Sequence, residues 1–299
     1  MQSQISFFAT LLCFLFLLQS GLYPENSDRS LIKSRIFLGE SVPDGQLAHA
    51  GVFSPDLMHY FLTLSDPEFR QFDVIHYVLQ NGKWTRKGKA FFNSSDNEHG
   101  VAFSPDGKIL FFSSTRPVTS VQGVSDTWHI WRCRKGKDGR WGRPEYVDIP
   151  NLRHKLSSHP SVTLDGTLYF HSANPDYSNM FIYRSEFREG SYLDAVKLPK
   201  AVNFRNRQNT PFVAADESYL LFESTPDIHL CFKDRNGNWG EAIRLPDAIN
   251  RNGKGNPFIT SDGKWLYFAA GEKADPMGRW LIYRTAAEPI LEFKFRRRD

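Results

Sequence analysis

Hydrophobic and polar positions along this chain recur in five blocks of about fifty residues, each holding three short apolar or aromatic stretches separated by turn-forming residues. The first stretch of a block is brief, as in Val101-Ala102-Phe103, Pro160-Ser161-Val162, Pro211-Phe212-Val213 and Pro257-Phe258-Ile259. A turn follows, carried by Ser54-Pro55-Asp56, Ser104-Pro105-Asp106-Gly107, Leu164-Asp165-Gly166, Ala215-Asp216-Glu217 and Ser261-Asp262-Gly263. The second stretch is rich in aromatics, as in Leu110-Phe111-Phe112, Leu168-Tyr169-Phe170, Leu220-Leu221-Phe222 and Leu266-Tyr267-Phe268. The third reads Val74-Ile75-His76-Tyr77, His129-Ile130-Trp131, Phe181-Ile182-Tyr183, Ile228-His229-Leu230 and Leu281-Ile282-Tyr283. Their lengths and their β-branched and aromatic content predict strands. No long segment keeps a 3.6-residue period, which excludes a helical solenoid.

Beyond the third stretch, Asn81-Gly82, Asp138-Gly139 and Asn236-Gly237 place residues that tolerate positive φ where a tight hairpin needs them, and Glu189-Gly190 does so with weaker turn chemistry. The aromatic residue after each turn (Trp84, Trp141, Tyr192, Trp239) is predicted to begin a fourth strand. Four antiparallel strands per repeat make one propeller blade, so the predicted fold is an all-β propeller of five four-stranded blades. The fifth block stops after its third strand near Thr285, and Ile36-Phe37-Leu38-Gly39-Glu40 lies where the missing fourth strand would come from. Closing the ring with this N-terminal strand removes exposed sheet edges. Six blades would follow only if Leu291-Glu292-Phe293-Lys294-Phe295 built more than an extra strand. The repeated Asp is predicted to serve its turn, accepting nearby backbone N–H groups.

The segment from Val101 through Ser114 resembles the WD40-like PD40 repeat of TolB-like β-propellers, whose pattern runs through Ser-Pro-Asp-Gly-Lys into an aromatic strand ending in Ser. Pro257 through Ala269 is nearly as close a match. The other copies are degenerate: Leu57 and Glu217 replace Gly107, and Leu164 and Ala215 replace Pro105. Over residues 47–286 the resemblance implies the propeller fold and leaves the function open, since members act as interaction modules, sensor domains, enzyme gates and catalysts.

Residues 1–21 read as a signal peptide, because Phe7 to Leu18 is apolar except for Thr10, is too short to span a bilayer and precedes Ser20 and Gly21. Residues 22–34 form a linker, 35–290 the propeller and 291–299 a basic tail. The implied location is periplasmic or secreted, with no stable membrane span once the signal is removed. Of the formal charge of +4, the tail residues Lys294 to Asp299 carry +3, so the body is near neutral and offers no groove for nucleic acid. Cys133 and Cys231 fall on the same strand of non-adjacent blocks, beyond disulfide reach.

Aligning the blocks places His49, His99, Ser158, Asn209 and Gly255 at one level of the channel mouth, and Ala50, Gly100, His159, Thr210 and Asn256 at the next. His49, Glu98, His99, His159, Asn209 and Asn256 are therefore the candidate ligand-binding residues. One reading is a non-catalytic propeller that binds a protein or glycan partner of the cell envelope through its loop face and channel mouth. The alternative is a metal-assisted carbohydrate-active enzyme, a lyase or glycosidase, with a divalent metal on His49, His99 and His159 and the Glu98 carboxylate beside them. Oligogalacturonate lyases are propellers of similar repeats that hold a metal through several His and a Gln, a set with no full counterpart here. No organic cofactor is expected, and no catalytic residue is assigned: the chain has no Gly-x-Ser-x-Gly and no Gly-rich phosphate loop. A glycosidase would need paired carboxylates, for which Glu98, Glu223, Asp227 and Glu272 are the candidates, Glu223 being placed at the outer end of a second strand. Among the tryptophans, regular placement predicts core packing, with Trp128 and the long loop from Thr115 to Thr127 as the functional exception.

Overall fold

The five Asp turns close in the same way. In the computed structural model, which describes residues 32–250, 252–272 and 278–293, each Asp carboxylate accepts the backbone N–H two residues on. Asp56 accepts from Met58, Asp106 from Lys108, Asp165 from Thr167, Asp216 from Ser218 and Asp262 from Lys264, at 3.0–3.1 Å. The residue after the Asp takes positive φ in all five, which Gly107, Gly166 and Gly263 do freely and which Leu57 (60°) and Glu217 (58°) are forced to do. Glu217 has its own hold, accepting a hydrogen bond from Tyr169 Oη at 2.6 Å.

These turns join the inner and second strands of five four-stranded antiparallel sheets. Blade one is Leu47–Phe53, His59–Ser65, Phe72–Gln80 and Lys83–Lys89; blade two is Glu98–Phe103, Ile109–Ser114, His129–Arg134 and Glu145–Tyr146. Blade three is Leu156–Val162, Leu168–Ala173, Phe181–Ser185 and Val196–Lys197; blade four is Gln208–Val213, Tyr219–Ser224, Asp227–Phe232 and Ile243–Arg244. Blade five is Gly253–Ile259, Trp265–Gly271 and Trp280–Ala286, completed by Arg35–Ile36. The protein is thus a five-bladed β-propeller. Its core lies between blades: Phe61 and Val74 of blade one, for example, pack on Leu110, Phe112 and Trp131 of blade two.

Closure is by the N-terminal strand, as predicted. Arg35 pairs with Arg284 and Ile36 with Tyr283, and the Phe37 N–H donates to Ile282 O at 2.8 Å. The Phe37 ring then sits edge-on to Tyr60 and Tyr267, each with centroids 5.2 Å away, joining the first and last blades. Arg279 of blade five clasps the incoming chain by donating to the carbonyls of Gly39 and Val42 at 2.9 and 2.8 Å.

Several details depart from expectation. Only in blade one does the fourth strand contain its turn-proximal tryptophan, Trp84. In blades two to four the outer strand is two residues long, while Trp141 and Trp239 make isolated bridges to Lys135 and Lys233 and Tyr192 joins a separate small hairpin with Phe187. An outermost strand has a single neighbour, and keeping it short blunts an edge that would otherwise recruit other chains. Glu189-Gly190 adopts positive φ at both residues, as does Asn81-Gly82, whereas Asp138-Gly139 and Asn236-Gly237 do so only at the glycine. The alternative of a sixth blade fails, because Glu288–Leu291 is a short helix whose Ile290 packs with Ile32 and Ile249. Cys133 and Cys231 form no disulfide with each other and are buried in different inter-blade clusters. The segments read from sequence as a signal peptide (1–21), most of a linker (to residue 31) and a basic tail (from residue 294) lie outside the described residues; among those described, no helix is long and apolar enough to cross a membrane.

Deleting residues 35–42 should unzip blade five and lower the midpoint of thermal unfolding sharply. Phe37→Ala should cost roughly 3 kcal/mol, the order expected for a large ring lost from a packed site. Denaturant titration of both variants tests this, and an unchanged midpoint in the truncation would mean that the ring closes by another route.

Candidate functional site

Every inner strand ends its sheet, so one of its edges is paired and the other borders the central channel. Proline is tolerated on such an edge, and Pro160, Pro211 and Pro257 occupy it in three blades. The pairing with the second strand breaks at one level all round the ring. Gly100-Val101, His159-Pro160, Thr210-Pro211 and Asn256-Pro257 are skipped in blades two to five, and His49 in blade one.

At these bulges Gly100, His159, Thr210 and Asn256 have φ of 61°, 52°, 45° and 53°. Left-handed backbone is uncommon outside glycine and an outlier for a β-branched residue such as Thr210. Strain of this kind, about 1–3 kcal/mol per residue, persists only where neighbours over-determine it. Here each neighbour is the preceding blade. His159 N–H donates to Ser113 Oγ at 2.9 Å, Thr210 N–H to His171 Nδ1 at 3.3 Å and Asn256 N–H to Thr210 Oγ1 at 3.3 Å. Gly100 is required by space as well, since a Cβ there would lie 3.1 Å from His159 Cα.

Above this waist opens a cavity of about 540 Å³. Phe69, Phe72, Trp128, Tyr177 and Trp280 form an aromatic wall supplied by blades one, two, three and five. His49, His99, His159, His171, Asn209, Asn256 and Glu223 supply its polar groups. The two sets interleave: His49 lies 5.0 Å from both Phe72 and Trp280, and His99 lies 3.9 Å from Trp128. The rings of His99, His159 and His171 follow one another with centroids 4.3 and 5.1 Å apart. Trp128 Nε1 donates to Tyr177 Oη at 3.2 Å, which props an exposed tyrosine at the rim. Tyr177 and the equally exposed Phe69 both hold left-handed backbone, at φ of 63° and 57°.

Burial holds all four imidazoles neutral. It lowers His49 to about 4 and His171 to about 3, and pushes His99 and His159 well below the usual histidine value, with mutual repulsion adding to the effect for these two. Because His171 Nδ1 accepts the Thr210 N–H, its proton sits on Nε2, which is left as a donor.

Five of the six candidate residues (His49, His99, His159, Asn209 and Asn256) line this one cavity. Glu98 does not, a correction with a simple cause: consecutive residues of a strand face opposite sides. Glu98 is fully buried inside its blade, where it accepts from Ser94 Oγ and Ser114 Oγ and pairs with Arg116 at 2.8 Å. The Phe72 ring packs against both His49 and His99. The His49 Nε2 is engaged with Ser65 Oγ at 2.7 Å. Among the described residues no group of three or more His, Cys, Asp and Glu side chains is placed to hold a metal ion, so the donor set of the metal reading does not converge.

Sequence reasoning missed His171, Phe69, Phe72 and Tyr177, and it placed Glu223 at an outer strand end and Trp280 in the core, whereas all six line the cavity. Glu223 and His171 occupy one position of the second strand, and their side chains reach the mouth instead of ending outside it. Glu223 can do so because Gly255 has no side chain: a Cβ at Gly255 would collide with the Glu223 carboxylate, which Thr225 Oγ1 anchors at 2.8 Å. That gap was readable, since Gly255 is the one bare position at its level. Trp280 lines the cavity instead of packing between blades, and of the loop from Thr115 to Thr127 only Thr115 borders it.

No protein-family profile matches this sequence, and no curated protein matches it either. Solved structures do resemble it in three dimensions. A complex of BT0996 with RGII is 9% identical with a TM-score of 0.52, over 87% of this protein and 91% of that one. A protein assigned as TolB from Agrobacterium tumefaciens is 17% identical with a TM-score of 0.48, over 86% and 91%. An endo-arabinase from Bacteroides thetaiotaomicron VPI-5482 is 13% identical with a TM-score of 0.48, over 82% and 96%. Identities this low concern the fold, which is the fold that the repeat resemblance implied.

These four histidines, with His76, His129 and His229, which burial also depresses, set a pH dependence. An unfolded chain takes up their protons from about pH 6.5 downward and the folded one only at lower pH, so stability should fall as pH drops below about 6.5. The contribution of His49 alone, 6.5 against about 4, is roughly 3 kcal/mol. The turn carboxylates of Asp56, Asp106, Asp165 and Asp262 are depressed below 3.8 and act only at lower pH. Thermal midpoints measured from pH 7.5 to 4.5 should decline, with a shallower slope in His49→Phe; a flat profile would show that the imidazoles are solvated.

Proposed function

We propose that this chain is an exported, non-catalytic propeller that binds a neutral glycan in its channel mouth. The observation that carries the proposal is the composition of the cavity, a wall of five aromatic rings facing polar groups of which all but Glu223 are uncharged. Aromatic faces pack against the apolar C–H faces of sugar rings, and a few convergent polar groups then fix orientation through the hydroxyls. His171 Nε2–H, the Asn209 and Asn256 amides and the Glu223 carboxylate supply donors and acceptors of that kind. Among the described residues no Lys or Arg lines the cavity and its imidazoles are neutral, which favours neutral sugars over uronates.

Binding without cleavage is supported by the carboxylates. Glycoside hydrolysis uses two acidic groups flanking the bond, about 5–10 Å apart. Of the four candidates only Glu223 lines the cavity; Glu98 is paired with Arg116 and Asp227 with Arg244 at 2.9 Å. Export is read from the apolar segment ending before Ser20 and Gly21, and it would bring the mouth to envelope or external glycans.

Calorimetry against a panel of neutral oligosaccharides, with tryptophan fluorescence as a second signal, is the direct test. Saturable binding should weaken about tenfold in Trp128→Ala and in Trp280→Ala. Undiminished affinity in both variants would place the site elsewhere, and release of shortened products would return the enzyme reading. Mass spectrometry of the exported protein should find Leu22 at its N-terminus, and an intact Met1 would contradict cleavage.

A further inference from the structure

The channel does not end at the waist. Below it lies a second cavity of about 240 Å³ whose wall is apolar, contributed by Val52, Ala102, Phe103, Val162, Phe212 and Phe258. Among the described residues no charged side chain lines it. The prolines at 160, 211 and 257 remove three backbone donors from the wall, and the Ser161 hydroxyl is already occupied by the Val213 N–H at 2.9 Å. An apolar wall of this kind favours apolar guests, whose surface it removes from water. His159, Thr210 and Asn256 line both cavities, so the polar mouth and the apolar shaft meet end to end at the strained waist.

We propose that the two compartments together take one amphiphilic ligand, a glycan carrying an alkyl or aryl aglycone, with the sugar in the mouth and the apolar group passing the waist into the shaft. This rests on the glycan reading of the mouth. A free oligosaccharide leaves the shaft unfilled. A hydrocarbon alone leaves His171, Asn209 and Asn256 without hydroxyl partners. A ligand with one polar and one apolar end satisfies both walls, and the order of the compartments along the axis sets its direction of entry.

The repeat supplies a plug with a built-in control. Val52, Ala102, Ser161, Phe212 and Phe258 occupy the same register position, pairing with Phe61, Phe111, Tyr169, Leu221 and Tyr267. Ala102→Phe therefore installs a side chain that blades four and five already carry there, narrowing the shaft while leaving the mouth residues in place. Phe212→Ala widens it.

Methyl, butyl and hexyl β-glucosides and β-galactosides, each below its aggregation threshold, are titrated by calorimetry, with 1-hexanol as the tail alone. Affinity should rise about fourfold per fully buried methylene, on the order of a thousandfold from methyl to hexyl. In Ala102→Phe the rise should shrink to a few-fold with the methyl glycoside unchanged, whereas Phe212→Ala should keep it. Hexanol should bind the wild type weakly and lose that binding in Ala102→Phe. A flat series, or a rise that survives Ala102→Phe, overturns the proposal. A flat series beside oligosaccharide binding that Trp128→Ala weakens rejects the shaft and leaves the mouth reading standing; no glycan binding of any kind rejects both.

Discussion

The unpaired edge of each inner strand is the constraint on which the rest of this molecule depends. Four strands per blade leave one edge facing the channel, and that edge must be prevented from pairing while its polar groups stay satisfied. Bulges and prolines do this together. They turn Gly100, His159, Thr210 and Asn256 into left-handed backbone at one level. Ser113, His171 and Thr210 then take up the freed N–H groups across the blade boundaries. The waist is therefore a chain of inter-blade hydrogen bonds, and the separation of a polar mouth from an apolar shaft follows from it.

Closure of the ring makes that waist stable. Each cross-blade bond ties one blade to the next, so it holds only while the blades stay in sequence around the axis. The strand Arg35–Ile36 and the Phe37 ring keep the first and last blades together, and Arg279 fastens the entering chain. Architecture at the outer rim thus controls geometry at the centre, although no residue of the closing strand borders the mouth.

The chemistry of the mouth comes from burial more than from charge. Imidazoles crowded against Phe69, Phe72, Trp128 and Trp280 lose solvation that the protonated form would need, and they are held as neutral donors and acceptors. Among the described residues no group of three or more His, Cys, Asp and Glu side chains is placed to hold a metal ion. Phe72 packs against both His49 and His99, and Glu98 faces the blade interior with Arg116.

Much of the fold was determined locally and could be read from the chain. The Asp turns, the strand lengths and the N-terminal closure each depend on neighbours in sequence or on a missing strand that only one segment can supply. The level of the mouth was legible too, since aligned repeats place His49, His99 and Asn209 at one level of the channel and His159 and Asn256 at the next. Tertiary structure alone decided which side chains enter it. Phe69 and Tyr177 arrive on turns of unequal length, Trp280 from the third strand of blade five, and Glu223 only because Gly255 leaves room in the neighbouring blade. Glu98, adjacent in sequence to a mouth residue, is turned inward by the alternation of the strand. The physical reason is that repetition sets the position of the backbone around the axis, whereas the direction of each side chain is set by bulges, by strand parity and by the space that the next blade leaves.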